Sequence, residues 1–136
     1  MNDIARAFVE LLQRDPRFAP SAYEFIREAL TYAQDVLDMG SRVTEQGQGD
    51  AEQHLTGQEL CEAVRQLALD QFGLMARTVL GAWGIHTTRD IGDIVYHLID
   101  LGVMRTSKQD RREDFEDVFD FEEAFDRSFQ ITLPNQ

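Results

Sequence analysis

Apolar residues recur along this chain mostly at three- and four-residue intervals, which predicts a succession of amphipathic helices. The first covers about Asp3 to Gln13. Ile4, Phe8, Leu11 and Leu12 share one face, and Asp15-Pro16 breaks it. The second starts at Pro20, or at a capping box made by Ser21 and Glu24. Its apolar stripe, from Ala22, Phe25 and Ile26 to Val36 and Leu37, predicts a helix that runs on to a stop at Gly40. Residues 41–53, SRVTEQGQGDAEQ, have no periodicity and read as a flexible loop.

A third helix opens at the capping box Thr56-Gly57-Gln58-Glu59, with Leu55 and Leu60 at hydrophobic-staple spacing. Leu60, Val64, Leu67, Ala68 and Phe72 form its buried face, and Gly73 closes it. A short fourth helix is expected from Leu74 to Trp83, with Met75, Val79, Ala82 and Trp83 inward and Gly84 as its stop. The fifth begins at Thr87 or Thr88. Asp90 lies in its first turn, where the helix dipole favours a negative charge. Its core face is Ile91, Ile94, Val95 and Leu98, and Gly102 ends it. Val103–Arg105 then reads as a short strand and Asp114–Phe119 as a second, joined by a polar turn. Asp120 and Glu123 cap a last short helix that carries Phe121 and Phe125.

The order helix, short helix, helix, glycine, strand, turn, strand resembles a winged helix-turn-helix. The phrase HLIDLGVMR (97–105) resembles the end of its recognition helix, and residues 103–119 would be the wing. The expected fold is therefore mainly α and a single domain. A helical hairpin (1–40) and a loop (41–53) precede a winged-helix-like unit (54–132) with one short β-hairpin. The chain as a whole also resembles a family of short acidic bacterial proteins of unknown function. The blocks that carry this are FAPSAYEFIREAL (18–30), HLTGQEL (54–60), QFGLMARTVLGAWGI (71–85), RDIGDIVYHLI (89–99) and FDFEEAF (119–125). That resemblance implies no activity and supplies no functional residues.

Composition narrows the function classes. The chain has 136 residues, of which 43% are hydrophobic, enough for one ordinary core. One cysteine, Cys61, excludes an intrachain disulfide and points to a reducing compartment. No secretory signal is visible, and no apolar run approaches the ~18–20 residues that span a bilayer, so a cytoplasmic protein is expected. The net charge of −12 opposes long-range attraction to phosphate or anionic lipid and argues against nucleic acid as a partner.

Candidate chemistry is sparse. His54, His86 and His97 lack the i, i+4 spacing of a helical metal pair, so no metal or other cofactor is expected. Cys61 lies among apolar positions and reads as a small buried hydrophobe, and no nucleophile elbow, P-loop or dinucleotide glycine pattern occurs. The chain is accordingly read as non-enzymatic. Tyr23 and Tyr32 lie off the main stripe of the second helix and are expected to pack against the first.

The acidic run 110–126 stands out, with nine carboxylates against Arg111 and Arg112 and phenylalanines interleaved. It lacks the glycine-centred frame of a calcium loop. With the aromatics turned inward, the carboxylates would project together as a docking surface for a basic protein segment. Glu113, Asp114, Glu116 and Asp117 are its expected centre. On the fifth helix the outward positions are expected to be Arg89, Asp90, Asp93, His97 and Asp100. Three aspartates there suit a basic partner better than a major groove, so Asp93, His97 and Asp100 join the candidate docking residues. A DNA-associated regulator of winged-helix type is the alternative. The oligomeric state is left open, a homodimer included.

Overall fold

The computed structural model describes residues 3–37, 41–42, 53–104 and 112–127. Helix α1 covers Asp3–Arg14 and α2 covers Pro20–Asp35. Pro20 is the first residue of α2, and Ala19 before it gives no side-chain cap, so the fixed φ of proline starts the helix rather than Ser21. The helix also stops earlier than the apolar stripe. Leu37 donates its backbone N–H back to Tyr32, and Val36 is exposed. Gly40 lies outside the described residues. Strands β1 (Ser41–Arg42) and β2 (Gln53–His54) pair antiparallel, so a two-residue ladder closes the segment read as loop.

Helix α3 (Gly57–Phe72) begins as expected. Thr56 Oγ1 accepts the Glu59 N–H at 3.1 Å, and Glu59 Oε1 accepts the Thr56 N–H at 2.9 Å. Changing Thr56 to alanine leaves one helix-start N–H without its acceptor. It should cost about 1 kcal/mol, read as a lower urea midpoint at unchanged slope, while Thr56→Ser should cost little.

The fourth helix departs from expectation in phase. Gly73, at φ 53°, leads into a tight 3-10 turn, Gly73–Met75, before α4 (Ala76–Ala82). The 3-10 turn advances fewer residues per revolution than an α-helix and rotates the face that follows. Ala76 and Leu80 are therefore buried, Val79 and Trp83 are half-buried, and Met75 and Ala82, expected inside, are exposed.

Helix α5 (Thr88–Asp100) has a second capping box, between Thr87 and Asp90, and buries Ile91, Ile94, Val95 and Leu98 as predicted. Two parts of the expected wing differ. Gly102, at φ 80°, reverses the chain, and both Val103 and Met104 donate their N–H groups to Leu98, so a helix-terminating turn stands where a strand was expected. Arg105 and the turn 106–111 lie outside the described residues. The expected second strand, Asp114–Phe119, is instead a 3-10 turn (Arg112–Phe115) and a bend, with Asp117 at φ 51°. The predicted hairpin is thus absent from the described residues. Phe115 explains the change: it wedges between Gly57 of α3 and Gly92 of α5, and a compact turn brings its ring there. A final wide π turn, Glu122–Arg127, follows, its start capped by Asp120, whose Oδ2 accepts the Glu123 N–H at 3.1 Å.

Helix α2 packs on α3 and α5. The Arg112–Phe115 turn bridges α3 and α5, and the π turn rests on α4 and α3. Ile26, Val64, Leu80, Ile85, Ile91, Ile94 and Phe125 lie fully inside. Aromatic rings seal two flanks: Phe25, Phe72 and Trp83 on one, Phe119, Phe121 and Phe125 on the other. No helix among the described residues is long and apolar enough to cross a membrane.

Candidate functional site

Residues 112–125 separate their chemistry by side. Phe115, Phe121 and Phe125 are buried, whereas Glu113, Glu116, Asp117, Asp120, Glu122 and Glu123 are exposed. The separation follows from alternating acids and aromatics along tight turns anchored at both ends. The Phe115 ring is the first anchor and the Phe121–Phe125 pair, with ring centroids 5.0 Å apart, is the second. Between them the Val118 N–H donates to Oγ1 of buried Thr88 at 3.2 Å, which ties the bend to the start of α5. Asp117 takes its left-handed φ at this bend, a conformation that aspartate tolerates better than most residues.

The bend forms one wall of a cleft of about 790 Å3. Glu116, Asp117, Asp120 and Glu122 line that wall. Arg77 of α4 and Arg89 of the first turn of α5 also line the cleft, and half-buried Phe119 adds apolar surface. A cleft of this make-up offers carboxylates to cations and an apolar surface to the methylene stems that carry them.

Sequence reasoning placed seven residues in the docking surface, and the structure distributes them differently. Glu113, Glu116 and Asp117 are exposed together, and Asp114 is half-buried against Gly57. Asp100 is exposed at the far end of α5. Asp93 and His97, expected to face outward, are turned onto neighbouring parts of the chain. Asp93 accepts from Arg17 at 3.2 Å and from Arg112 at 2.6 Å, and its side chain is only 16% exposed. His97 Nδ1 lies 3.0 Å from the Tyr23 hydroxyl, and its Nε2 lies 3.5 Å from Asp15. Asp90 is likewise engaged, accepting from the backbone of His86 and Thr87. Of the five expected outward positions on α5, only Arg89 and Asp100 are exposed.

The face of α5 read as the recognition surface is therefore covered by the 15–19 connection and by Arg112. The sequence held one sign of this, the Asp15-Pro16-Arg17-Phe18 segment, but read only its helix-breaking proline. Arg89 was expected on the outer face of α5, but its meeting with Arg77 and the acids in one cleft gave no signal, because tertiary packing sets it.

Burial governs the titratable groups inside. Cys61 is buried and its thiol is pushed up to about 12 by desolvation, with Glu62 adding to the effect, so a thiolate nucleophile is disfavoured at neutral pH. Tyr23 is pushed up to about 12, chiefly by burial, with Asp15 contributing. Asp15 is held below the usual carboxylate range by its hydrogen bonds from Arg17, and burial opposes this. His97 is held below the ordinary histidine value, first by burial. Among the described residues no three His, Cys, Asp or Glu side chains gather in a metal-binding group.

No family model matches the chain, and neither a curated protein nor a solved structure shows a significant match to it.

Proposed function

We propose that this protein is a docking module that receives a basic segment of another protein in the cleft between the start of α5 and the acidic segment 112–125. The observation that carries the reading is the two-sided build of that segment. Phe115, Phe121 and Phe125 are spent in the core, and four of its six exposed carboxylates, Glu116, Asp117, Asp120 and Glu122, line the cleft of about 790 Å3. Six acids held on a single short stretch cost folding free energy through mutual repulsion, and a cationic partner removes that repulsion. Asp93 and His97 are not part of this surface, since their contacts are made within the chain. The partner is an arginine- or lysine-rich segment whose aliphatic stems cover half-buried Phe119.

The test is binding of a short fluorescent arginine-rich peptide, followed by anisotropy at rising salt. One variant, the cleft variant, carries Glu116→Lys and Glu122→Lys in the cleft lining and Glu113→Lys on the same exposed segment. Asp117 and Asp120 are left in place because one holds the bend and the other caps the π turn. A control carries Glu24→Lys, Asp35→Lys and Asp70→Lys, all exposed elsewhere, and changes the net charge equally. The cleft variant should lose at least about tenfold in affinity, or ~1.4 kcal/mol, and the control less than about threefold. Equal losses in both would mean that the peptide senses only overall charge, and would reject the site.

A further inference from the structure

His97 is held by groups from two other parts of the chain. Tyr23 of α2 places its hydroxyl 3.0 Å from Nδ1, and Asp15, just past α1, places a carboxylate oxygen 3.5 Å from Nε2. Arg17 pairs with Asp15 at 3.1 Å and also reaches Asp93 on α5, to which Arg112 of the acidic segment is bonded. Rings of Phe8 and Phe18 enclose Tyr23 edge-on, with centroids at 5.3 and 6.2 Å.

This arrangement suits one protonation state. Tyr23 is fully buried, and its hydroxyl donates to Nδ1 when the imidazole is neutral with its proton on Nε2, which then faces Asp15. A second proton would turn Nδ1 into a donor aimed at a hydroxyl that already donates. The hydroxyl hydrogen would have to rotate away from Nδ1 and give up that acceptor. The imidazolium would also be repelled by the Arg17 and Arg112 guanidinium groups. Asp15 and Asp93 favour the cation, but burial and the two arginines oppose it, and neutral His97 is the favoured form.

We propose that Tyr23, His97 and Asp15 form an acid-sensitive clasp, which holds α1 and the 15–19 connection on α5 when His97 is neutral and lets α1 go when His97 is protonated. Helix α1 is suited to release, because Leu11 is the only side chain it buries fully, and Phe8 and Leu12 reach the core only partly buried. The sign follows from linkage. His97 binds its proton less readily in the folded protein, so its contribution is complete above the ordinary histidine value near ~6.5 and is lost as pH falls through the lower folded value. Release uncovers the apolar surface of Phe8, Leu11 and Phe18 under acid conditions.

The experiment measures amide hydrogen exchange of residues 3–19 at pH 7.5 and pH 5, corrected for intrinsic rates, beside an NMR titration of the His97 ring. Protection in 3–19 should fall about tenfold or more at pH 5 while that of α3 and α5 is retained, and the ring should titrate below ~6.5. In His97→Gln the acid step should vanish, since the amide can accept from Tyr23 and donate to Asp15 without titrating. In Tyr23→Phe the ring midpoint should rise, because the neutral form loses its donor. Protection that is unchanged or higher in acid, an acid step that persists in His97→Gln, or a His97 midpoint at or above the ordinary value would each overturn the clasp.

Discussion

Gly84→Ala should lower stability by about 3 kcal/mol, a drop of roughly 10 °C in the thermal midpoint of a domain this size. Two independent costs meet at this position. Gly84 has φ +97°, where a side chain is strained. A Cβ there would also lie 2.2 Å from the backbone carbonyl oxygen of Arg17, which has no rotamer by which to move aside. The carbonyl belongs to the connection that the Trp83 carbonyl holds by accepting the Ala19 N–H at 3.0 Å, so moving it strains the join between α4 and the α1–α2 connection. Two companion substitutions separate the costs. Gly102 has φ +80° but nothing within 4 Å, so Gly102→Ala carries the conformational cost alone, about 1 kcal/mol. Gly81 lies within α4 with only ordinary contacts to His86, so Gly81→Ala should be neutral or stabilise by up to about 1 kcal/mol. Differential scanning calorimetry on the three variants checks the ranking. A Gly84→Ala protein that melts with Gly102→Ala would show that the Arg17 backbone yields freely.

The helices that could be read from the sequence are those whose determinants are local. The capping boxes of α3 and α5 and the periodic faces Leu60 to Leu67 and Ile91 to Leu98 lie within a few residues of what they specify. Helix α4 was misphased because the Gly73–Met75 turn is a change of pitch that periodicity carried across the join does not register. The expected wing failed for a longer-range reason. Residues 114–119 interleave Phe115, Val118 and Phe119 with acids and were read as a strand, but Phe115 finds its place only where Gly57 and Gly92, distant in sequence, leave room for a ring. The inward turn of aromatics and outward turn of acids in 112–125 was legible, since any compact arrangement must bury those rings. The positions of Asp93 and His97 were not. Their outward appearance on α5 is cancelled by Arg17 and Tyr23, which lie 76 and 74 residues away in the chain.

Gly92→Ala should uncouple the acidic segment from its scaffold without removing a single charge. A Cβ at Gly92 would lie 2.7 Å from Phe115 Cβ and 2.8 Å from its Cγ. The first of these is bound to the Phe115 backbone, so a change of rotamer brings no relief and the whole Arg112–Phe115 turn must retreat. Alanine favours the helix by up to about 1 kcal/mol, while overpacking at a filled site costs about 1–3 kcal/mol. The net loss of global stability is therefore modest, near 1–2 kcal/mol. The local effect is larger, because Phe115 is what fixes one end of the segment that lines the cleft. Amide exchange in 112–118 should quicken while α3 keeps its protection, and the arginine-rich peptide should bind at least about tenfold more weakly. This outcome distinguishes a shaped docking surface from a merely acidic one. If Gly92→Ala loosens 112–118 yet binds the peptide as tightly as the unaltered chain, recognition needs only the charges and not their arrangement. If binding falls with the loosening, the geometry that Phe115 imposes is part of what the partner reads.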